Sequence, residues 1–390
     1  MHLWGMRFLL LAALMAGVLA TPLGGPVEDG VGAPAAAASA PAPRPVERVV
    51  LRADGPGVQA RDLALTTARL RSTLSVQPGV DLVALTWRGS APAVQLRART
   101  AGRWGTWQTP EVLPDAPDRA SGEGSRQGTD QVWTPGADAL QVRAAGPVPR
   151  SLRLSLVAVE ETPADLRTAR LGRSAAAAPD ASAAASARNK FRPALRGRGA
   201  WGADERWRSG SPTYNRTVQQ VHVHHTVNSN DYRPGEVPGL IRGMYRYHTG
   251  SLGWSDLGYN AVVDRFGRTW VGRAGGITRR VRGAHTLGFN STSTGVAVLG
   301  NFETARPSSK VVTAIVRFAA WKLHKDGRNP RGRVTVFSHG SDRFRYGAKP
   351  RLPVIDGHRD TSETACPGEY LYRKLPVIRQ RAAARVARMR

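Results

Sequence analysis

The sequence of 390 residues has only one cysteine, Cys366, and no run of 18 apolar residues. A lone cysteine excludes an internal disulfide, so the chain must fold on hydrophobic cores, for which an apolar fraction of 41% is sufficient. The lack of a long apolar run argues against a membrane-spanning helix. Acidic residues are scarce as well, with 29 Asp and Glu against 56 Lys and Arg, and the net charge is +27. Such a charge favours negatively charged partners.

The chain also lacks a block of Lys and Arg with interleaved aromatic residues, which a nucleic-acid platform would need. Its basic excess is mostly arginine and is spread along the sequence. We interpret this excess as a general preference for anionic surfaces. Anionic wall polymers are therefore candidate partners, and nucleic acid is not expected to bind.

Residues 1–20 are predicted to be a secretory signal peptide. Arg7 supplies the positive start, residues 8–20 form an uncharged run of 13, and residues 18–20 (VLA) have small side chains at the −3 and −1 positions of a cleavage site. The run is too short for a spanning helix. We therefore expect a secreted or wall-located protein with no membrane association after cleavage.

Two stretches have the composition of linkers. Residues 21–45 are rich in Gly, Pro and Ala, and residues 161–195 contain the low-complexity run SAAAAPDASAAASA. Neither has an apolar stripe that could dock on a core. These linkers predict that a chain lacking residues 21–190 still folds and is active.

Residues 46–160 are predicted to form an all-β accessory domain of the sandwich type. Apolar and polar residues alternate over 94–99 and 152–156, which is the pattern of half-buried strands. The region has no histidine and no cysteine, and we predict no chemistry in it. Three tryptophans are candidates for a sugar-stacking face, although a packing role is more common: Trp104, Trp107 and Trp133.

Residues 196–390 carry eight of the nine histidines and the only cysteine. Strand patterns over 218–226 and 293–302 alternate with helix patterns that begin near residue 236 and at residue 308. Interleaved strands and helices predict an α/β domain with a mixed central sheet flanked by helices.

The stretch around His358 and Cys366 is the first candidate for chemistry. A thiolate near imidazoles is either a soft metal ligand or a nucleophile, whereas a buried thiol can also be a plain core residue. A third group could come from the strand VQQVHVHHT at 218–226, where the spacing alone does not choose among His222, His224 and His225.

Five motifs in sequence make residues 198–375 resemble the peptidoglycan recognition protein family, whose zinc-dependent members are type 2 N-acetylmuramoyl-L-alanine amidases. The motifs are RGAWGADE, VHVHHT, GWSDLGYNAVVDRFGRTWVGR, GAHTLGFNSTSTGVAVLGNF and GHRDTSETACPG. The resemblance implies a Zn²⁺ site with the ligands His224, His358 and Cys366. It implies hydrolysis of the amide between N-acetylmuramic acid and L-alanine of peptidoglycan.

The resemblance also implies further site residues. Tyr259 matches the catalytic tyrosine of the family, and Thr364 stands where relatives have lysine or threonine to stabilise an oxyanion. The implied partner is peptidoglycan, both its glycan strand and its stem peptide, and the protein is predicted to be a monomer. Substrate-groove positions are matched by Thr226, His285, Asn290 and Trp254.

Two other functions compete with a zinc amidase. Non-catalytic peptidoglycan-binding receptors of the family typically lack the cysteine ligand, so the presence of Cys366 favours an enzyme. A thiol hydrolase would use Cys366 with His358, but it would not need His224. For the general base, Asp256 and Glu303 are only guesses, and Asp360 is a candidate for orienting a ligand.

Overall fold

The structure is a computed structural model that describes residues 43–124, 126–174 and 191–389. The predicted signal peptide and nearly all of the first predicted linker lie outside these residues. Residues 44–390 form one compact unit. Within the described residues, no helix is long and apolar enough to cross a membrane.

The N-terminal part is an all-β domain with a large, mostly antiparallel sheet of nine strands, which confirms the predicted class. The strand order is β2-β3-β9-β4-β8-β5-β6, and β1 and β7 pair with β4. The strands are β1 (Val46–Val50), β2 (Arg52–Gly55), β3 (Val58–Ala64), β4 (Thr73–Trp87), β5 (Val94–Thr100), β6 (Arg103–Trp104), β7 (Gln127–Gly128), β8 (Val132–Ala144) and β9 (Arg153–Val159).

This sheet folds around its own apolar core. The long strand β4 pairs with β1, β7, β8 and β9 at different points along its length, so a single strand links both halves of the sheet. Alternate side chains such as Leu74, Val76 and Leu154 are buried in one cluster. The alternation of apolar residues therefore places one face of each strand in this core.

The C-terminal part contains a mixed six-stranded sheet in the order β10-β13-β12-β14-β11-β17, together with a two-stranded sheet, β15-β16. This arrangement confirms the predicted α/β class. The strands are β10 (Leu195–Arg196), β11 (Gln220–His225), β12 (Ala261–Val263), β13 (Thr269–Val271), β14 (Ser293–Val298), β15 (Arg333–Thr335), β16 (Arg351–Pro353) and β17 (Ile355–Gly357).

Helices of 4 to 17 residues accompany the two sheets. They are α1 (Thr67–Leu70), α2 (Pro163–Ser174), α3 (Glu236–Arg246), α4 (Ser309–Lys325), α5 (Glu369–Tyr372) and α6 (Leu375–Ala387). Helix α4 begins as predicted, because the side chain of Ser308 accepts a hydrogen bond from Val311 N. Its buried face, which includes Ile315, joins the core beneath β11 and β14.

The topology brings two distant histidines to one edge of the sheet. Strand β11 is parallel to both β14 and β17. Because parallel strands end at the same edge, His224 near the end of β11 and His358 just after β17 lie close together. The core-facing neighbours Val221 and Val223 point to the opposite face of β11.

The second predicted linker is structured over its first half. Helix α2 lies within it, and residues 175–190 are outside the described residues. Asp165 of α2 is buried and forms an ion pair with Arg242 of α3 at 2.7 Å. Helix α2 therefore packs against the C-terminal domain through a buried ion pair and does not act only as a spacer.

Further contacts join the two domains. Trp207 Nε1 donates to Asp54 O at 2.9 Å, and the Tyr247 hydroxyl donates to Thr129 O at 2.7 Å. Arg273 donates to Glu123 at 2.5 Å. A chain without residues 21–190 would lose these partners of Trp207, Tyr247 and Arg273.

Candidate metal centre and substrate groove

Three side chains from distant parts of the sequence converge at the carboxyl edge of the C-terminal sheet. One ligand atom from each of His224, His358 and Cys366 lies within 4.8 Å of the others, and all three residues are buried. His224 Nδ1 is 3.8 Å from Cys366 Sγ. Two imidazoles and one thiol suit zinc, and we call these three residues the metal centre.

The structure separates the three histidines that the sequence left as alternatives. His222 Nδ1 pairs with the buried carboxylate of Asp356 at 2.5 Å, away from Cys366. His225 points to the other face of β11, where its Nδ1 accepts a hydrogen bond from Phe302 N at 3.1 Å. Only His224 joins His358 and Cys366.

One backbone N–H would stabilise the thiolate form of Cys366. Its Sγ accepts a hydrogen bond from His225 N at 3.4 Å. Burial raises the pKa of the Cys366 thiol well above its usual value, and the nearby Asp115 carboxylate raises it further. A protonated thiol is a poor ligand, so binding of a metal ion must displace the proton.

The two histidines of the metal centre are held neutral. Burial lowers the pKa of His224 well below its usual value, and the neighbouring His222 adds to this effect. Burial also lowers the pKa of His358 to about 3, although the Asp115 carboxylate opposes the change. Neutral imidazole is the form that binds metals, so both side chains suit a metal site without loss of a proton.

His285 supports a ligand, whereas the sequence predicted a groove contact for it. Its Nδ1 lies 3.2 Å from His224 Nε2, and its side chain is fully buried. A Cβ on Gly295 would collide with the His285 ring, so the ring is wedged against the backbone of β14. A hydrogen bond to the second nitrogen of a ligating histidine fixes the orientation of that ligand.

Replacement of His285 by phenylalanine is expected to lower zinc affinity about 10- to 100-fold, because His224 loses the group that orients its ring. Competition with a chromophoric zinc chelator measures the affinity. His324→Gln serves as a matched control, because His324 lies at the end of α4 and not in the metal centre. Equal affinities for the two variants would contradict the orienting role.

Tyr259 lies beside the metal centre, with its ring centroid 5.3 Å from that of His224. Its hydroxyl donates a hydrogen bond to Asp115 Oδ2. Burial raises the pKa of Tyr259 well above its usual value, and the Asp115 carboxylate contributes to the increase. The hydroxyl therefore keeps its proton and acts as a donor.

The two predicted threonines lie at opposite borders of the site. Thr364 is half-buried, and its Oγ1 accepts a hydrogen bond from Cys366 N at 3.1 Å. Thr226 is also half-buried, but its hydroxyl is bonded to Asn228 and accepts from Gly300 N at 3.2 Å. Thr226 thus braces the loop after β11.

Trp254 and Asn290, predicted as groove residues, are both buried beneath the N-terminal domain. Trp254 packs in one cluster with Leu113 and Ala116. Asn290 accepts hydrogen bonds from the backbone of the preceding loop and donates to Ala116 O at 2.9 Å. A segment of the β-domain therefore covers both of these predicted groove residues.

The other acidic candidates serve the scaffold. Asp256 pairs with Arg198 at 3.0 Å, and Glu303 pairs with Arg359 at 3.1 Å. Asp360 accepts from Gly357 N at 2.9 Å and braces the turn before His358. These contacts give none of the three carboxylates a place at the metal centre.

Sequence reasoning missed Asp115, which lies in the region 46–160 for which we predicted no chemistry. Asp115 Oδ1 lies 3.3 Å from His224 Nδ1 and 3.2 Å from His358 Nδ1. The only local signal is the run LPDAPD at 113–118, in which a proline precedes each aspartate. Nothing in that run indicates a contact with residues more than 100 positions away.

The surroundings of Asp115 Oδ1 indicate that the site fits a metal ion. This oxygen is buried and has no hydrogen-bond partner among the described residues. It faces two imidazole nitrogens that burial keeps neutral. When Nε2 of His224 carries the proton and donates to His285, Nδ1 of His224 has a free lone pair. Two acceptor atoms, His224 Nδ1 and Asp115 Oδ1, then face one another. A cation at their centre would satisfy all of them, and the donor set therefore fits zinc.

Comparisons with known proteins match a family model to each of the two domains. The family described as N-acetylmuramoyl-L-alanine amidase matches residues 214–369, and the family described as Rv3811 N-terminal galactose-binding domain-like matches residues 37–187. Peptidoglycan-recognition protein SC2 of Drosophila simulans is 29% identical over 153 residues, which is 39% of this chain and 70% of the relative.

Two more relatives extend the comparison. The N-acetylmuramoyl-L-alanine amidase of Homo sapiens is 30% identical over 184 residues, which is 46% of this chain and 27% of the relative. The solved structure of Drosophila PGRP-LB has a TM-score of 0.37 at 23% identity and covers 47% of this chain and 92% of its own. Residues 214–369 therefore match the N-acetylmuramoyl-L-alanine amidase family, and this part of the chain is similar to peptidoglycan recognition proteins.

Proposed function

We propose that the protein is a secreted, zinc-dependent N-acetylmuramoyl-L-alanine amidase that hydrolyses the amide between N-acetylmuramic acid and L-alanine in peptidoglycan. The observation that carries this proposal is the convergence of His224, His358 and Cys366 within 4.8 Å. Receptors of the family that do not cleave their ligand typically lack the cysteine. Its presence here favours hydrolysis.

The three ligands would hold zinc, which, when bound, polarises the scissile carbonyl and supplies hydroxide at neutral pH by lowering the pKa of water to about 7. The chain supplies the orientation. His285 fixes the ring of His224, and His225 N donates to the sulfur of Cys366. These contacts hold the ligand atoms in place before substrate arrives.

Tyr259 is the group best suited to stabilise the oxyanion that develops on the scissile carbonyl. Burial keeps its hydroxyl protonated, and its ring lies beside His224. A preorganised donor in a buried site typically contributes about 10²- to 10³-fold to the rate. Thr364 is next to Cys366 in the fold, but its hydroxyl also binds the backbone there, so we assign Tyr259 the larger share.

The surface charge suits the same substrate. A net charge of +27 attracts a wall that carries anionic polymers. The short apolar run at residues 8–20 supports export, and a wall hydrolase acts outside the membrane. Groove residues such as Trp254 and Asn290 would contact the sugar and the stem peptide once the groove is uncovered. We propose that the enzyme works as a monomer.

Mass spectrometry of peptidoglycan digested with the purified zinc protein, and with an Asp118→Ala variant that loses a hydrogen bond between the covering segment and Asn290, tests this function. The expected products are free stem peptides that begin with L-alanine, together with glycan strands that have lost their peptides. A zinc chelator should stop their release, and added zinc should restore it.

Other products would refute the assignment. Cleavage within the peptide or the glycan would show a different bond specificity. Hydrolysis that ignores a chelator but stops with a thiol alkylator would make the protein a cysteine hydrolase. Binding of peptidoglycan without any product, even in variants with an uncovered groove, would make it a receptor.

A further inference from the structure

The N-terminal domain sends one loop across the C-terminal domain. We call residues 111–118 the Asp115 segment. Its start is tied to its own domain, because Leu113 N donates to Gly128 O at 2.9 Å and Asp130 N donates to Glu111 O at 2.8 Å. Beyond Leu113 the segment leaves the β-sheet and enters the groove beside the metal centre.

The carboxylate of Asp115 reaches the metal centre itself. Its Oδ1 lies 3.3 Å from His224 Nδ1 and 3.2 Å from His358 Nδ1, and the side chain is only 4% exposed. This oxygen has no hydrogen-bond partner within the described part of the chain. A buried carboxylate oxygen with no donor indicates that something other than a hydrogen bond satisfies it.

We propose that Asp115 is an intramolecular fourth ligand of the metal centre, and that the Asp115 segment keeps the enzyme latent by covering its substrate groove. The inference rests on the proposed function for the identity of the ion and the substrate. It adds that the folded chain is an inhibited form, and that the N-terminal domain supplies the inhibitor.

The distances agree with one tetrahedral ion. Nitrogen and oxygen ligands bind zinc at about 2.0–2.1 Å, so two such atoms on one tetrahedral ion lie about 3.3 Å apart. The distances from Asp115 Oδ1 to the two histidine nitrogens are 3.3 and 3.2 Å. The carboxylate oxygen is therefore spaced from both histidine nitrogens as a ligand of the same ion would be.

A fourth protein ligand changes what the ion can do. Catalytic zinc sites keep one position for water, whereas sites with four protein ligands are closed and structural. A thiolate and a carboxylate together also neutralise the double positive charge of zinc, which weakens its pull on a substrate carbonyl. Asp115 thus removes both the water and the charge that hydrolysis needs.

The Asp115 segment also binds the Tyr259 hydroxyl, which is the proposed oxyanion donor, and it fills part of the groove. The Tyr259 hydroxyl donates to Asp115 Oδ2 and is not available to an oxyanion. Asp118 Oδ1 accepts hydrogen bonds from Gly288 N at 2.9 Å and from Asn290 Nδ2 at 3.0 Å. The backbone oxygen of Ala116 accepts from Asn290 as well. The Tyr259 hydroxyl, Gly288 N and the Asn290 side-chain amide are therefore all bonded to the segment.

Apolar contacts complete the cover. Leu113 and Ala116 pack against Leu252 and Trp254, and Trp254 is only 3% exposed. A tryptophan that is to stack on a sugar must face solvent before substrate binds. The buried ion pair of Arg242 with Asp165 lies outside the segment, so release of the segment would leave this part of the domain interface in place.

Visible spectroscopy of the cobalt-substituted full chain, titrated with azide, tests the inference without any need for hydrolysis. In the wild type, the four protein ligands should leave the cobalt spectrum unchanged by azide. In Asp115→Asn, azide should bind at the fourth position and shift the spectrum in a saturable way. Asp138→Asn is the matched control, because Asp138 lies on β8 and pairs with Arg99; it should behave as the wild type.

The groove is tested with a soluble muramyl tripeptide in a calorimeter. The apparent dissociation constant equals the intrinsic value divided by the uncovered fraction, so an uncovered variant should bind at least about tenfold more tightly. Asp118→Ala removes two hydrogen bonds of the segment without touching the metal centre, and it should increase both tripeptide affinity and azide access. The hydrolysis rate should rise in both variants.

Three results would overturn the inference. The wild-type cobalt protein could bind azide, which needs no variant to observe and would exclude a fourth protein ligand. Asp115→Asn could leave the azide response unchanged. Asp115→Asn could also hydrolyse more slowly, which would make Asp115 a group that acts on the substrate. A protein that binds no metal at all would instead refute the proposed function, so the two failures are distinguishable.

Discussion

Replacement of Cys366 by serine in the Asp115→Asn chain, where the groove is uncovered and the thiolate is the only anionic ligand, is expected to abolish zinc binding and to reduce hydrolysis on the order of 10³-fold or more, because the reaction depends on the bound ion. A serine hydroxyl does not ionise at neutral pH. It therefore cannot supply the anionic ligand that a zinc ion held by His224 and His358 requires. Zinc content by mass spectrometry and product release from peptidoglycan measure the two effects. Binding of peptidoglycan fragments should remain, since the groove residues are unchanged.

Two further variants serve as controls for this experiment. Ser362→Ala changes a buried hydroxyl in the same loop and should keep both zinc and activity. Cys366→Asp keeps an anionic ligand without a thiol and should retain part of the zinc affinity. A Cys366→Ser protein that holds one zinc per chain but does not hydrolyse would point to a nucleophilic thiol, and full activity would refute the metal assignment.

Replacement of Arg242 by methionine is expected to destabilise the folded chain by about 3–5 kcal/mol, because it leaves a buried charge without a partner. Arg242 donates to both carboxylate oxygens of Asp165, at 2.8 and 2.7 Å. It also donates to the backbone oxygens of Trp201 and Glu160, at 3.0 and 3.1 Å. Both members of the ion pair are nearly inaccessible to solvent.

Urea unfolding measures the loss, and an exposed pair on the same surface provides the control. Arg233 pairs with Glu236 at 2.9 Å but is 74% exposed, so Arg233→Met should cost no more than about 1 kcal/mol. The double variant Arg242→Met with Asp165→Leu should be more stable than Arg242→Met alone, since neither charge is then left unpaired. Equal losses for Arg242→Met and Arg233→Met would show that the interface does not depend on the buried pair.

The buried pair also explains why the linker was only partly predictable. Residues 161–195 have the composition of a spacer, and an alanine-rich stretch has no apolar stripe that would reveal a docked helix. The information lies in one side chain, Asp165, whose partner is 77 positions away. Local patterns do not report such a contact, because a single surface-type residue becomes buried only in the folded chain.

Local patterns were sufficient where the periodicity of apolar residues has a direct structural cause. Alternation predicted the strands of the accessory domain, and Ser308 marked the start of α4 because a serine side chain satisfies a free backbone N–H at that position. The groove was harder. His285 was predicted to face substrate, but it lies behind His224, and no feature of the loop sequence distinguishes the two positions.

The sequence by itself determined the two domain classes and the family, and through the family it indicated His224, His358 and Cys366 as ligands. Spacing alone left three histidines equal, because one strand carries them all. Alternation along the strand puts His225 on the face opposite His222 and His224. Only the tertiary structure decided that His222 pairs with Asp356 and that His224 is the histidine that meets Cys366, because these partners come from distant parts of the chain.

Asp115 is the clearest case of a role that the fold alone decided. An aspartate between two prolines is ordinary in a surface loop, and its own domain has no histidine or cysteine that would suggest a zinc site. It reaches the metal centre because the two domains pack together and the loop crosses their boundary. Such a role depends on the relative placement of two domains, which is set by many weak contacts summed over their interface and not by any motif.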